Sequence, residues 1–232
     1  IYCILQSLAN PINQVIGVPY SASAALCAVQ AVFLLRFIRR NGLSRQYGLC
    51  KTAVPARRFL YYLPLAVLMT RNFWNGAAFN ATLTETVCYI ICMLCVGFVE
   101  EVIFRGLLFR AMAEDNRNTA VVISSLTFGL GHLLNLVNGS GASLAETLLQ
   151  VAGAVALGFL FVILFDRGGS LLPCILAHAV INITSIFANE TGLTLGKGMA
   201  MQLVLIAVAV AYALILTKTL PKNQHAKAHR QE

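Results

Sequence analysis

The sequence predicts an all-α fold, a polytopic bundle of about seven to eight transmembrane helices that forms a single domain over residues 1–232. Three observations predict it. The chain is 58% hydrophobic and 11% charged, its apolar residues form runs of helix length, and its basic residues collect in the loops of one side. Because soluble domains carry roughly 25% charged residues, a soluble enzyme and a nucleic-acid-binding module fit poorly, and no nucleic-acid partner is expected.

Seven apolar stretches approach or exceed the roughly 20 residues that a membrane-crossing helix needs. They cover roughly residues 18–38, 59–75, 86–112, 119–137, 145–165, 170–188 and 199–217. The apolar stretch 1–16 is interrupted by Pro11, and we interpret it as the remnant of a further span. Because the chain begins at Ile1 rather than Met, we expect further residues before it. Short polar loops join the spans and leave no room for a soluble domain.

The basic residues predict the orientation of the bundle. Alternate threading of the spans leaves Arg71 and Lys197 on one side. The other side receives the remaining loop and tail cations, which are Arg36, Arg39, Arg40, Arg45, Lys51, Arg57, Arg58, Arg117, Arg167, Lys218, Lys222, Lys227 and Arg230. Positively charged loops stay in the cytoplasm, so we expect an integral, multi-pass protein with a cytoplasmic C-terminus. The basic tail is expected to lie against anionic lipid of the bilayer, and the short loops favour a bacterial cell (inner) membrane.

Polar and ionisable side chains within the spans are few, and their cost at bilayer depth makes them candidates for function. The third, fourth and sixth spans carry Glu100, Glu101 and Arg105, then Phe128 and His132, then His178 and Asn182. At a rise of about 1.5 Å per residue, Glu100, His132 and Asn182 lie at similar depth, about 18–20 Å from the basic side. The sequence therefore predicts one shared, hydrated pocket.

Residue spacing adds detail to this pocket. Glu101 and Arg105 are four residues apart, so we expect an ion pair that makes both tolerable in lipid. This pairing leaves Glu100 free for other work. His178 and Asn182 share a helix face by the same spacing.

Such a cluster suits hydrolysis of an amide bond inside the membrane. A carboxylate beside a neutral imidazole could hold and deprotonate a water, while a second imidazole and a carboxamide could donate hydrogen bonds to the oxyanion. Alternatively, Glu100, His132 and His178 could bind a divalent metal such as Zn²⁺, which would itself activate the water. The same buried groups would also serve a proton- or ion-coupled transporter, and a non-catalytic membrane immunity protein would need no chemistry. The residues alone leave these alternatives open.

The three motifs resemble those of the CAAX-protease and bacteriocin-processing family, also called the type II CAAX prenyl endopeptidase or abortive-infection family. Its pattern of EExxxR, FxxxH and HxxxN on successive transmembrane helices matches Glu100-Glu101…Arg105, Phe128…His132 and His178…Asn182. The resemblance covers a core of about residues 85–190. It implies an intramembrane endopeptidase that cleaves a membrane-associated protein or peptide, with roles in bacteriocin immunity or peptide maturation.

The resemblance also implies residue roles. Glu100 would activate the water with His132 as its partner, and His178 and Asn182 would form the oxyanion hole. Glu101, Arg105 and Phe128 would support these groups. Members of this family have been called metalloproteases, but we favour the metal-free form, in a site that opens towards the cytoplasm.

Overall fold

The computed structural model describes residues 2–52, 54–55, 62–137 and 143–220. All regular elements in these ranges are helices, which confirms the all-α class. Four of them are long and apolar enough to cross a membrane, namely Ser21–Arg40, Leu83–Ala113, Leu144–Gly168 and Leu195–Thr219. They correspond to the predicted spans 18–38, 86–112, 145–165 and 199–217.

The helices follow one another with short connections. In chain order they are α1 (Tyr2–Ile16), α2 (Ser21–Arg40), α3 (Leu63–Met69), α4 (Leu83–Glu101), α5 (Arg110–Ala113), α6 (Arg117–Leu130), α7 (Leu134–Val137), α8 (Leu144–Gly168), α9 (Leu172–Thr184) and α10 (Leu195–Thr219). A π-helical segment, Val102–Phe109, joins α4 to α5, so that one rod of 31 residues runs from Leu83 to Ala113. Single 3₁₀ turns follow α6 at Gly131–Leu133 and α9 at Ser185–Phe187.

The other three predicted spans are not single long α-helices among the described residues. Within 59–75 the helix α3 has seven residues, and residues 59–61 lie outside the described ranges. Within 119–137, α6 ends at Leu130, a 3₁₀ turn covers Gly131–Leu133 and α7 continues to Val137. Within 170–188, α9 ends at Thr184 and a 3₁₀ turn covers Ser185–Phe187. In these last two stretches the helical backbone therefore changes type inside the predicted span.

Local capping sets the helix boundaries. Thr82 and Glu85 form a reciprocal capping box at the start of α4, and Ser143 and Glu146 do the same for α8. Each box satisfies backbone N–H groups that have no partner within the helix. At its other end α8 stops at Gly169, whose φ of 70° is the left-handed conformation that glycine adopts without strain.

The core is built around α8, which packs against α6 on one side and α10 on the other, while α4 lies between α2 and α9. Two glycines allow close helix approaches. A Cβ at Gly97 would lie 3.0 Å from the backbone nitrogen of Ala179, and a Cβ at Gly129 would lie 2.9 Å from that of Val155. These contacts bring the glutamates of α4 to the histidine of α9, and α6 to α8.

The contacts define two ends of the bundle. At the end that we call the basic end, α2 finishes with Arg39 and Arg40, and the loop that follows contacts the start of α9 through a hydrogen bond from the Leu171 nitrogen to the Gly48 carbonyl. At the opposite end, Tyr20 and Tyr89 place the starts of α2 and α4 side by side, with ring centroids 4.8 Å apart. The two helices therefore run parallel.

Candidate active site

The buried ion pair between Glu101 and Arg105 lies behind the site. The Nη1 atom of Arg105 is 2.9 Å from the Oε1 atom of Glu101, and both side chains are 0% exposed, so the ion pair expected from the spacing is confirmed. Arg105 also donates to the carbonyl of Gly158 at 3.2 Å, and its guanidinium lies 4.2 Å from the ring centroid of Phe128. The cation is thus held by a carboxylate, a carbonyl and an aromatic face.

His178 lies between the two glutamates. Its Nδ1 is 2.9 Å from the Oε1 atom of Glu101, so Glu101 binds both the histidine and the arginine through one oxygen. Its Nε2 is 3.7 Å from the Oε2 atom of Glu100, which is too long for a direct hydrogen bond. His178 is 5% exposed. It therefore lies behind Glu100 rather than on the open surface of the site.

Glu100 has a partner that the sequence analysis did not anticipate. The hydroxyl of Tyr2, at the start of α1, donates a hydrogen bond to its Oε1 atom at 2.7 Å. Glu100 stays out of the ion pair of Glu101 with Arg105, but α1 packs on α2 and brings a phenol to its carboxylate. The two oxygens of Glu100 thus face different groups, Tyr2 on one side and His178 on the other.

A cavity of about 860 Å³ connects these groups to the surface. Glu100, His132 and Asn182 all line it, so three of the four predicted catalytic residues face one space, as their depths along the helices suggested. Its lining continues to Tyr20 and Ser185, which lie at the end opposite the basic loops. The lining therefore extends towards the end opposite the basic loops, and the expected opening towards the cytoplasm stays a prediction.

Packed side chains occupy the bundle near its basic end. Phe109 and Phe165 pack edge to face with centroids 6.1 Å apart, and Arg110 lies over the ring of Phe165. Nearby, Arg117 at the start of α6 forms an ion pair with Asp166 near the end of α8. None of these side chains lines the cavity.

Phe128 separates the two imidazoles. Its ring is edge to face with His132 at 6.0 Å and with His178 at 5.4 Å between centroids. The space for this ring depends on Gly158, where a Cβ would lie 3.2 Å from Phe128 and 3.3 Å from Arg105. The phenylalanine of the second motif therefore positions both histidines.

The metal-binding alternative does not fit these side chains. Among the described residues, no group of three or more His, Cys, Asp and Glu side chains is arranged to hold a metal ion. Both ring nitrogens of the candidate His178 face carboxylates, and the phenyl ring of Phe128 lies between His178 and the other candidate, His132. The donor set of Glu100, His132 and His178 thus gives no basis for a step through a metal.

Two features of the cavity were missed from the sequence. The first is the polar face of α1, where Tyr2, Gln6, Asn10 and Gln14 recur every fourth residue and line the cavity; this spacing is visible in the sequence and marks one face of a helix. The second is Arg71, which also lines the cavity. The sequence places Arg71 on the side with few cations, but its position along the chain does not connect it with the three motifs.

The fold and the site together define an integral membrane protein with a glutamate–histidine cluster inside its helical bundle. Residues 82–184 match the family model described as Type II CAAX prenyl endopeptidase Rce1-like. The match includes all three motifs and confirms the resemblance seen in the sequence. No curated protein and no solved structure matches the chain.

Proposed function

We propose that this protein is an intramembrane endopeptidase that hydrolyses a peptide bond of a membrane-associated protein or peptide. The observation that carries the proposal is that Glu100, His132 and Asn182, from three different helical segments, line the same cavity. Polar groups inside the membrane are costly, and their presence there therefore points to a function. The match of residues 82–184 to a protease family supports hydrolysis over transport.

Glu100 is the proposed base. A water in the cavity between Glu100 and His132 transfers a proton to the carboxylate, and its oxygen attacks the carbonyl carbon of the substrate. Glu100 then gives this proton to the leaving amine, so that one water is consumed and the base is regenerated. The hydroxyl of Tyr2 holds the Oε1 atom of the carboxylate at 2.7 Å and thereby fixes its orientation during both transfers.

Asn182 and His178 are the proposed donors to the oxyanion. Asn182 lines the cavity, whereas His178 lies behind Glu100, with its Nε2 3.7 Å from the Oε2 atom of that carboxylate. The contact of 2.9 Å between Nδ1 and Glu101 orients the ring so that Nε2 faces the site, and Nε2 is the atom that donates to the oxyanion in its N–H form. Arg105 balances the charge of Glu101 from the other side. Preorganised donors of this kind lower the barrier because they need no reorganisation during the reaction.

The biological setting is also part of the proposal. With the basic loops in the cytoplasm, a cavity lined as far as Tyr20 and Ser185 would open towards the non-cytoplasmic side of a bacterial inner membrane. A site that opens there acts on exported or membrane-embedded chains, which suits bacteriocin immunity or peptide maturation. The partners are then the bilayer and a peptide or membrane-protein substrate.

The test is cleavage of peptides by the protein reconstituted in nanodiscs. The probe is a pool of short random-sequence peptides, and the products are identified by mass spectrometry. We expect Glu100→Gln and His132→Ala to abolish cleavage, and Asn182→Ala to lower its rate by about 10²–10³-fold, the effect of losing one oxyanion donor. The matched control is Glu190→Gln, an exposed glutamate that should leave the rate unchanged. Full activity of Glu100→Gln, or peptide-independent solute flux without hydrolysis, would overturn the proposal.

A further inference from the structure

Arg71 is a cation on the cavity wall that has no counter-ion among the described residues. It lies in the 3₁₀ turn Arg71–Phe73 and lines the same cavity as Glu100, His132 and Asn182. In the described part of the chain, no carboxylate lies within ion-pair distance of it. A partly buried, uncompensated cation inside a membrane protein is costly.

The position of Arg71 is fixed by a set of neutral groups. Its Nη2 donates to the Oε1 atom of Gln202 at 3.1 Å. Gln202 is 8% exposed, and its own Nε2 donates to the carbonyl of Leu149 at 2.9 Å, which leaves Oε1 to face the arginine. The Gln202 amide fits against α8 only because residue 153 is glycine, since a Cβ there would overlap it.

The turn that carries Arg71 is also attached to the site. The side-chain amide of Asn72 donates to the carbonyl of Ile181 at 2.5 Å and to the hydroxyl of Thr184 at 2.8 Å. These contacts tie the turn to the part of α9 that carries Asn182. The fold thus holds the guanidinium on the wall of the cavity that Asn182 also lines, and the amide of Gln202 orients the cation without neutralising it.

We propose that Arg71 binds a carboxylate of the substrate, either its C-terminus or an Asp or Glu side chain. A guanidinium matches the two oxygens of a carboxylate in a planar fork and supplies the missing charge balance. Because Glu100 repels a carboxylate and Arg71 attracts it, the anionic group seats at Arg71. This arrangement places a scissile bond on the N-terminal or C-terminal side of the anchor at a constant distance. The constant distance to the scissile bond rests on the proposed function, whereas the binding of the carboxylate by Arg71 does not.

Binding is measured first, so that the test does not depend on hydrolysis. Glu100→Gln protein in nanodiscs is titrated with three pools of short random peptides. One pool lacks Asp and Glu and has a free C-terminus, the second is the same pool with an amidated C-terminus, and the third is amidated but contains one Glu. If the C-terminal carboxylate is the ligand, we expect the first pool to bind roughly 10- to 100-fold more tightly than the second. If the Glu side chain is the ligand, we expect the third pool to bind more tightly than the second by the same factor.

Variants then assign this preference to Arg71. In the Glu100→Gln background, Arg71→Gln should bind all pools equally, whereas Arg71→Lys should keep part of the preference. Gln202→Glu should also remove it, because it gives the arginine a carboxylate of its own. Lys197→Gln is the matched control, since it removes an exposed cation of the same end that binds Asn75. Thermal unfolding of each variant shows that the fold is kept.

The outcomes separate this inference from the proposed function. Equal binding of all three pools, or an undiminished preference in Arg71→Gln, would overturn the assignment of Arg71 even if the wild type cleaves peptides. A preference for a carboxylate that depends on Arg71 would support the assignment even if the wild type cleaves none of the pools. In the wild type, cleavage at a constant distance from the anionic group would support both.

Discussion

Glu101→Gln tests whether the buried ion pair holds the candidate site together. The substitution keeps the shape of the side chain and removes its charge, which leaves Arg105 fully buried without a counter-ion among the described residues. Its remaining contacts are the Gly158 carbonyl at 3.2 Å and the ring of Phe128 at 4.2 Å, and neither of them neutralises a cation. Breaking one partner of a buried pair costs about 3–5 kcal/mol. Because domains have a free energy of unfolding of about 5–15 kcal/mol, this would be a large fraction of the total.

The assay is reversible unfolding in mixed micelles with increasing mole fraction of a denaturing detergent. A second variant, Arg105→Met, and the double variant complete a double-mutant cycle. We expect the double variant to be more stable than Glu101→Gln alone, because removal of both charges leaves no buried ion unpaired. The exposed control Glu190→Gln should stay within about 0.5 kcal/mol of the wild type. A loss below about 1 kcal/mol for Glu101→Gln, or strict additivity in the cycle, would refute this reasoning.

Three further predictions concern helix packing, the partner of Glu100 and metal. Gly97→Ala should lower the free energy of unfolding by about 1–3 kcal/mol, since its Cβ would lie 3.0 Å from the Ala179 backbone. The control is Gly196→Ala, because this glycine has open space around it. Equal stability of the two variants would contradict the prediction. Tyr2→Phe should slow peptide cleavage about tenfold, because it removes a hydrogen bond to a charged group but leaves the ring, and an unchanged rate would show that the hydroxyl has no role. Chelation of divalent metal should leave cleavage unchanged, and loss of cleavage that is restored by Zn²⁺ would refute the metal-free site.

Periodicity and depth predicted much of the site. The spacing of four between Glu101 and Arg105 was sufficient to predict an ion pair, because residues four apart on a helix are neighbours whatever surrounds them. The shared depth of Glu100, His132 and Asn182 follows from the constant rise of a helix, and all three line one cavity. These are local properties of helices, so a single sequence is enough to predict them.

Contacts between helices were harder to predict. The sequence places His178 on the same face as Asn182, but its position behind Glu100 depends on how closely α9 approaches α4 at Gly97. Similarly, the contact of Tyr2 with Glu100 joins residues 98 positions apart. Such pairings are set by packing, and no spacing along the chain reveals them.

The candidate site accounts for the two predicted spans, 119–137 and 170–188, in which the α-helix changes to a 3₁₀ turn. Both α6 and α9 change to a 3₁₀ turn near the candidate site, at Gly131–Leu133 and at Ser185–Phe187, and His132 lies in the first of these turns. Irregular backbone at membrane depth is tolerated where it is buried in protein or lines a cavity, since its polar groups then find partners away from lipid. Leu133, Ile186 and Phe187 keep these turns apolar on average, so a hydropathy profile does not show where the α-helix changes to a 3₁₀ turn. His132 thus reaches the wall of the cavity from a 3₁₀ turn, whereas Asn182 reaches it from the last turn of α9.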